Sequence, residues 1–143
     1  MSAGFIYIKI TDVLPECRSI PGVERLIGLV KLGKAGDLAS RDRGYKAYLP
    51  LVFRTVCVVR VDDRHTAEAL VLEHFRSRNV RREFDAAARR RMSPELAEVA
   101  AMVGRECFRI DREAAKAVLL MIGDEVPSCD RPADEQMDRH AEQ

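Results

Sequence analysis

The sequence has no tryptophan, only three histidines, and four cysteines that never fall close together. Cys17, Cys57, Cys107 and Cys129 form no C-x-x-C pair, which argues against a disulfide framework and against a structural zinc site. Cys57, inside the apolar run Val56 to Val59, reads as a small buried hydrophobe. His65, His74 and His140 make no metal-binding pattern, and nothing points to haem or a nucleotide cofactor. No apolar run approaches the roughly 18 residues of a transmembrane helix, and the N-terminus lacks a signal-peptide pattern. The chain therefore reads as cytoplasmic, with no membrane partner and no internal repeat.

What is present is one domain's worth of chain. With 143 residues, 47% of them apolar and 33% charged, it can bury a sizeable core without staples. Net charge is only +1, but residues 1 to 123 hold 22 Lys+Arg against 16 Asp+Glu, while residues 124 to 143 hold 2 against 7. The body is basic and the tail acidic. Arginine outnumbers lysine 19 to 5, which suits bidentate contact with phosphate oxygens, although coding bias gives the same ratio.

Along the chain, Gly4 to Ile10 alternates as a strand, with Ile6, Ile8 and Ile10 on one face and Phe5, Tyr7 and Lys9 on the other. Residues 11 to 28 read as a long connection with a helical turn near Val23 to Leu26. Leu29 to Leu32 forms a second strand, and Arg54 to Val61 a third. A helix is expected from Thr66 to about Arg78, another opened by Ser93-Pro94 and closed by Gly104, and a last one from Arg112 to Ile122, capped by Asp111 and ended by Gly123. Between the last two, Glu106 to Ile110 reads as a short strand. Residues 124 to 143 have few large apolar side chains and are expected to be a disordered acidic tail.

Two places invite chemistry. After the turn at Gly33 and Gly36, Asp37 is a good N-cap for a short helix on which Leu38, Arg41 and Tyr45 share a face. That face is either a core edge with solvated tips or a site. On the next helix, Glu68 falls in the middle of an apolar stripe with Val71, Leu72 and Phe75 at 100° per residue. A buried carboxylate costs several kcal/mol unless paired, metal-bound or neutralised, whereas one in the first turn simply faces the helix's positive end and water.

The series Gly4-Phe5-Ile6-Tyr7, Lys31-Leu32-Gly33, Arg41, Tyr45 and Glu68 resembles a GIY-YIG nuclease domain in order, spacing and context. The stretch from Gly33 to Tyr45 is similar to the nuclease domain of bacterial excision-repair proteins. Lys-Leu-Gly in place of Tyr-Ile-Gly, and Glu106-Cys107-Phe108 in place of a Glu-Trp-Phe ending, look more like the phage and mobile-element branch. The resemblance covers residues 4 to 111. The first glycine is displaced to Gly4, the connection from Tyr7 to Lys31 is long, residues 80 to 104 look like an insertion, and only Asn79 stands near the family's late asparagine.

The resemblance implies an α/β (α+β) fold, a small central, mostly antiparallel three-stranded sheet flanked by helices. It makes residues 1 to 123 the domain. It also implies hydrolysis of phosphodiester bonds in DNA with one divalent metal, Mg²⁺ or Mn²⁺, on Glu68. Arg41 would donate to the non-bridging oxygens, Tyr45 would position phosphate or water, and Tyr7 would be the general base. Bringing a phenol from near 10 down about three units needs roughly 4 kcal/mol, part of which Lys31 on the adjacent strand would supply. Lys34, Arg43, Arg76, Arg78, Arg81 and Arg82 are candidates for nucleic-acid contact, as are Arg89 to Arg91, or else they are polar helix faces. A non-catalytic nucleic-acid-binding or protein-interaction module that keeps the fold is the competing reading. A partner protein supplying target recognition is the third, because a chain of this length has little left over for it.

Overall fold

A computed structural model describes residues 2–37 and 51–126. The elements run β1 (Gly4–Val13), β2 (Val30–Ala35), β3 (Leu51–Val61), α1 (Arg64–Phe75), a four-residue α2 (Ala86–Arg89), α3 (Pro94–Glu106), β4 (Cys107–Phe108), α4 (Arg112–Ile122) and β5 (Asp124–Glu125). Short 3₁₀ turns lie at Pro15–Cys17, Val23–Leu26 and Arg76–Arg78.

The strands form one antiparallel sheet in the order β4-β2-β1-β3-β5. It has five strands rather than the expected three. The three long ones are those that alternation and β-branched content predict, whereas β4 and β5 have two residues each and no pattern to read. β5 also corrects the tail: Asp124 and Glu125 pair with Arg60 and Val59, and the Val126 N–H donates to the Val58 carbonyl at 2.9 Å. An exposed acidic edge strand carries no apolar signal.

β1 sits at the centre and presents two different faces. Ile6 and Ile8 pack with Val30, Leu32, Cys57 and Val59 under α1 and α4. The odd-numbered side of β1 carries Tyr7, Lys9, Thr11 and Val13, and its far end packs through Val13, Leu51 and Phe53 against Leu26, Leu29 and α3. Between the two halves the β1–β3 register shifts by one, so that Ile8 faces Cys57 and Lys9 faces Thr55. Val56 is the extra residue of a β-bulge.

The helix ends follow their caps. Asp63 opens α1, its carboxylate accepting from the His65 N–H at 3.2 Å and the Thr66 hydroxyl at 2.8 Å, so the helix starts at Arg64 and not at Thr66. The Thr66 hydroxyl is also the main reason the Asp63 carboxyl is held below its ordinary pKa. After Phe75 the chain tightens into a 3₁₀ turn. Ser93 and Asp111 cap α3 and α4 as their sequence positions indicate. Gly104 lies inside α3 and closes nothing; the helix continues to Glu106, and a Cβ at Gly104 would sit 3.4 Å from that of Phe84. That is an ordinary contact distance, so neither a turn nor a clash requires glycine there.

Candidate functional site

The β1–β2 ladder places Tyr7 directly opposite Gly33, and Lys9 opposite Lys31. Successive side chains alternate across a strand, so these four project from one face. The Tyr7 ring lies flat over Gly33, where a Cβ on residue 33 would run into the ring. Glycine here makes room for an aromatic neighbour. Tyr7 is 5% exposed and packs with Ala35 and Val58, with Phe5 and Val126 at its margin. Lys9 is 4% exposed, and its Nζ stands 5.6 Å from the centre of the Tyr7 ring. A buried ammonium over an aromatic face is attracted by the ring's quadrupole. Lys31 Nζ lies 3.8 Å from Glu106 Oε1.

Sequence reasoning singled out Lys31 and passed over Lys9. The signal was available, since Lys9 is the one charged residue in an otherwise apolar and aromatic strand segment from Gly4 to Ile10. The alternation placed Lys9 on the face of Tyr7, but charged residues are rarely buried unless paired, so its burial could not be read from the pattern.

From the other side of β2, Lys34 reaches α1, with its Nζ 3.0 Å from Glu68 Oε1. Glu68 is partly buried, 22% exposed in its side chain, and the reason a carboxylate is tolerated there is this lysine. Its place on the helix differs from the expected one. The core stripe of α1 is Ala67, Val71 and Phe75, while Leu72 is 40% exposed, so Glu68 borders the stripe and does not centre it. Helix-wheel reading gave Leu72 the core because it is leucine; the sheet took the neighbouring stripe instead.

Tyr7 and Glu68 therefore flank the same stretch of β2, one on each side of Gly33-Lys34. This stretch is the outer edge of the sheet among the described residues, because β4 pairs only with Val30 and Lys31. Arg41, Arg43 and Tyr45 lie outside the described residues, as does Leu38.

A family model, the T5orf172 domain, matches residues 4–123. The chain belongs to the T5orf172 domain family. This is a phage-associated family often linked to GIY-YIG-like homing-endonuclease folds, and membership is compatible with a nuclease-like or DNA-associated role. No curated protein and no solved structure matches the chain.

Within this T5orf172 domain the donor set for a metal is narrow. Among the described residues no three His, Cys, Asp or Glu side chains converge. Glu68 offers a hard oxygen beside the Gly33-Lys34 stretch of β2. That fits a cation of the Mg²⁺ or Mn²⁺ kind, which binds through one or two carboxylates and takes its other ligands from water and substrate phosphate. It does not fit a metal needing a full protein cage. No helix among the described residues is long and apolar enough to cross a membrane.

Other charged residues have structural partners. Arg109 makes a two-pronged pair with Glu83 at 2.6 and 3.1 Å and donates to the Arg25 carbonyl, while Arg25 lies over the Phe84 ring at 5.3 Å. Asn79 uses both ends of its amide to fix the chain, donating to the Cys107 carbonyl at 3.2 Å and accepting from the Arg81 N–H at 2.7 Å. Arg76, Arg78, Arg81 and Arg82 are exposed beside α1.

Proposed function

We propose that this domain is a metal-dependent endonuclease of the GIY-YIG kind, hydrolysing phosphodiester bonds in DNA. The observation that carries the reading is the buried Tyr7 ring, seated in the space that Gly33 leaves and covered by the Lys9 ammonium. Burial by itself holds a phenol protonated, and a neighbouring ammonium works against that, which is the opposing influence a tyrosine base needs.

In this reading Tyr7 takes the proton of the attacking water, whose oxygen bonds to phosphorus as the bond to the 3′ oxygen breaks; that oxygen leaves with a proton from solvent. Lys9 and Lys31 favour the phenolate. Lys34 holds the Glu68 carboxylate before substrate arrives and then turns its ammonium to a phosphate oxygen. Arg41 donates to the non-bridging oxygens and Tyr45 positions phosphate or water. Glu68, which lies on the α1 face and would reach the scissile phosphate around the open edge of β2, would hold a divalent cation, and that cation would supply charge neutralisation there.

The Lys34–Glu68 pair also favours a second reading, a nucleic-acid-binding module that no longer cuts, since the carboxylate already has a cation. One experiment separates them. Labelled plasmid and short duplexes are incubated with Mg²⁺, with Mn²⁺ and with chelator, comparing wild type, Glu68→Ala and Tyr7→Phe, and Mn²⁺ binding is read by calorimetry on the same proteins. The nuclease reading expects metal-dependent cleavage that falls about 10²-fold or more in Tyr7→Phe and Mn²⁺ affinity that falls in Glu68→Ala. A folded wild type that binds DNA without cutting it establishes the binding module.

A further inference from the structure

Beside α1 runs an open groove of about 860 Å³, lined by Leu72, Arg76, Asn79, Arg81, Arg82 and Phe108. One wall is the helix; the other is the segment after it. That segment is held in place. Asn79 bridges to Phe108, the Val80 N–H donates to the Cys107 carbonyl at 3.2 Å, and the Arg109 N–H donates to the Arg78 carbonyl at 2.8 Å. Residues 78 to 80 thus continue the sheet past β4, and Arg81 and Arg82 project from a fixed backbone toward Arg76.

Three arginines face one carboxylate in this groove, that of Glu73. Its pairing with Arg76 at 3.3 Å is between side chains 72% and 78% exposed, so it holds Arg76 only weakly. The floor is apolar, with Leu72 40% exposed. Rims of guanidinium over an apolar floor match a chain of phosphates carrying flat bases, which stack on apolar and guanidinium surfaces when they are not paired. The volume lies within the roughly 300–1,000 Å³ of small-ligand clefts. That is room for a few nucleotides of one strand.

The groove also has a direction. Leu72 and Arg76 follow Glu68 by one and two turns of α1, about 12 Å along the axis from residue 68 to residue 76. A strand whose phosphate lies at Glu68 continues along the helix into the groove.

Resting on the nuclease reading above, we infer that this groove receives an unpaired strand next to the reacting phosphate, and that the preferred substrate is DNA with a single-stranded tail or flap. Fixing the arginine wall in advance lowers the ordering cost of that contact.

The test is fluorescence anisotropy in chelator, so that nothing is cut, with a labelled single strand, a blunt duplex and a duplex bearing an unpaired tail. Wild type is expected to bind the tailed duplex and the single strand about tenfold more tightly than the blunt duplex, about one stacked base's worth. Arg76→Gln/Arg81→Gln/Arg82→Gln should lose that preference, and its plot of log affinity against log salt should flatten by about 2, at roughly 0.7 per phosphate contact. A charge-matched control, Arg18→Gln/Arg105→Gln/Arg112→Gln, should keep the preference. Blunt duplex binding as tightly as tailed, or a groove variant that binds like wild type, overturns the inference. Either result leaves the nuclease reading to its own test, the cleavage and Mn²⁺ affinity of Glu68→Ala.

Discussion

The two faces of the sheet are built from the same three long strands, and they hold different kinds of residue. Under α1 and α4 the strands contribute Ile6, Ile8, Val30, Leu32, Cys57 and Val59, all buried and all apolar. The opposite face holds Tyr7, Lys9, Thr11 and Thr55, and the last three are the buried polar and charged residues among those described. Burying apolar surface needs no partner, at about 25 cal/mol per Å². Burying a hydroxyl or an ammonium costs free energy that only bonding offsets. Thr11 shows how the fold meets that cost for structure alone: its hydroxyl donates to the Leu26 carbonyl at 2.6 Å and accepts from the Leu29 N–H at 2.9 Å, tying the long connection to β1. Lys9 stands over the Tyr7 ring, 5.6 Å from its centre, and that ring fills the space above Gly33. The difference teaches where to look: one face is apolar throughout, and the other joins a core at its far end to buried polar groups at Tyr7 and Lys9.

The largest expected contrast sets neighbouring residues against each other. Ile8→Ala should lower unfolding free energy by about 2–5 kcal/mol, whereas Tyr7→Phe should leave the denaturation midpoint close to wild type while cleavage collapses. Equal loss of stability from both would erase the distinction. Next is the close approach at Gly33. Gly33→Ala should cost about 1–3 kcal/mol through the overpacked ring, and much less in a Tyr7→Ala background. A double-mutant cycle with no coupling would show that the ring moves away freely.

Lys9→Met is expected to change stability by less than about 1 kcal/mol, since an apolar isostere removes a desolvation cost along with a charge. It should nonetheless slow cleavage about tenfold at neutral pH and move the ascending limb of the pH–rate profile, which follows deprotonation of the Tyr7 base, to higher pH. An unmoved limb would take Lys9 out of the chemistry. The smallest effect concerns Cys107, on the Lys31 side of β4. Burial pushes its thiol up to about 12 from an ordinary 9.0, with Lys31 opposing and Glu106 adding to the rise. The unfolded chain ionises first, so this contribution to stability is complete below about pH 9 and is lost as pH rises toward 12. At pH 10 the loss is roughly 1 kcal/mol, and Cys107→Ala should show a flatter alkaline stability curve by that amount.

Much of this was legible in the residues. Alternation gave β1 its two faces, including Tyr7 on the mixed one, and Ser93, Asp111 and Gly123 marked helix boundaries that the structure keeps. What was not legible depended on tertiary choice. Glu68 looked central because Leu72 is apolar, yet the sheet took Ala67, Val71 and Phe75 and left Leu72 at the surface. Lys34, set down as a contact to nucleic acid, lies 3.0 Å from Glu68, a pairing across 34 residues that no local pattern encodes. β5 is made of two acidic residues whose strand conformation comes wholly from the neighbour they pair with.

The bulge at Val56 acts on β3 as a frameshift acts on a message. Leu51, Phe53, Thr55, Cys57, Val59 and Val61 alternate without interruption and read as one buried row, yet the row changes sides between Thr55 and Cys57. The same letters serve two cores. Removing Val56 would restore a regular ladder and leave every other side chain on its present face, whereas removing a residue elsewhere in β3 with the bulge kept would turn the strand beyond the gap inside out.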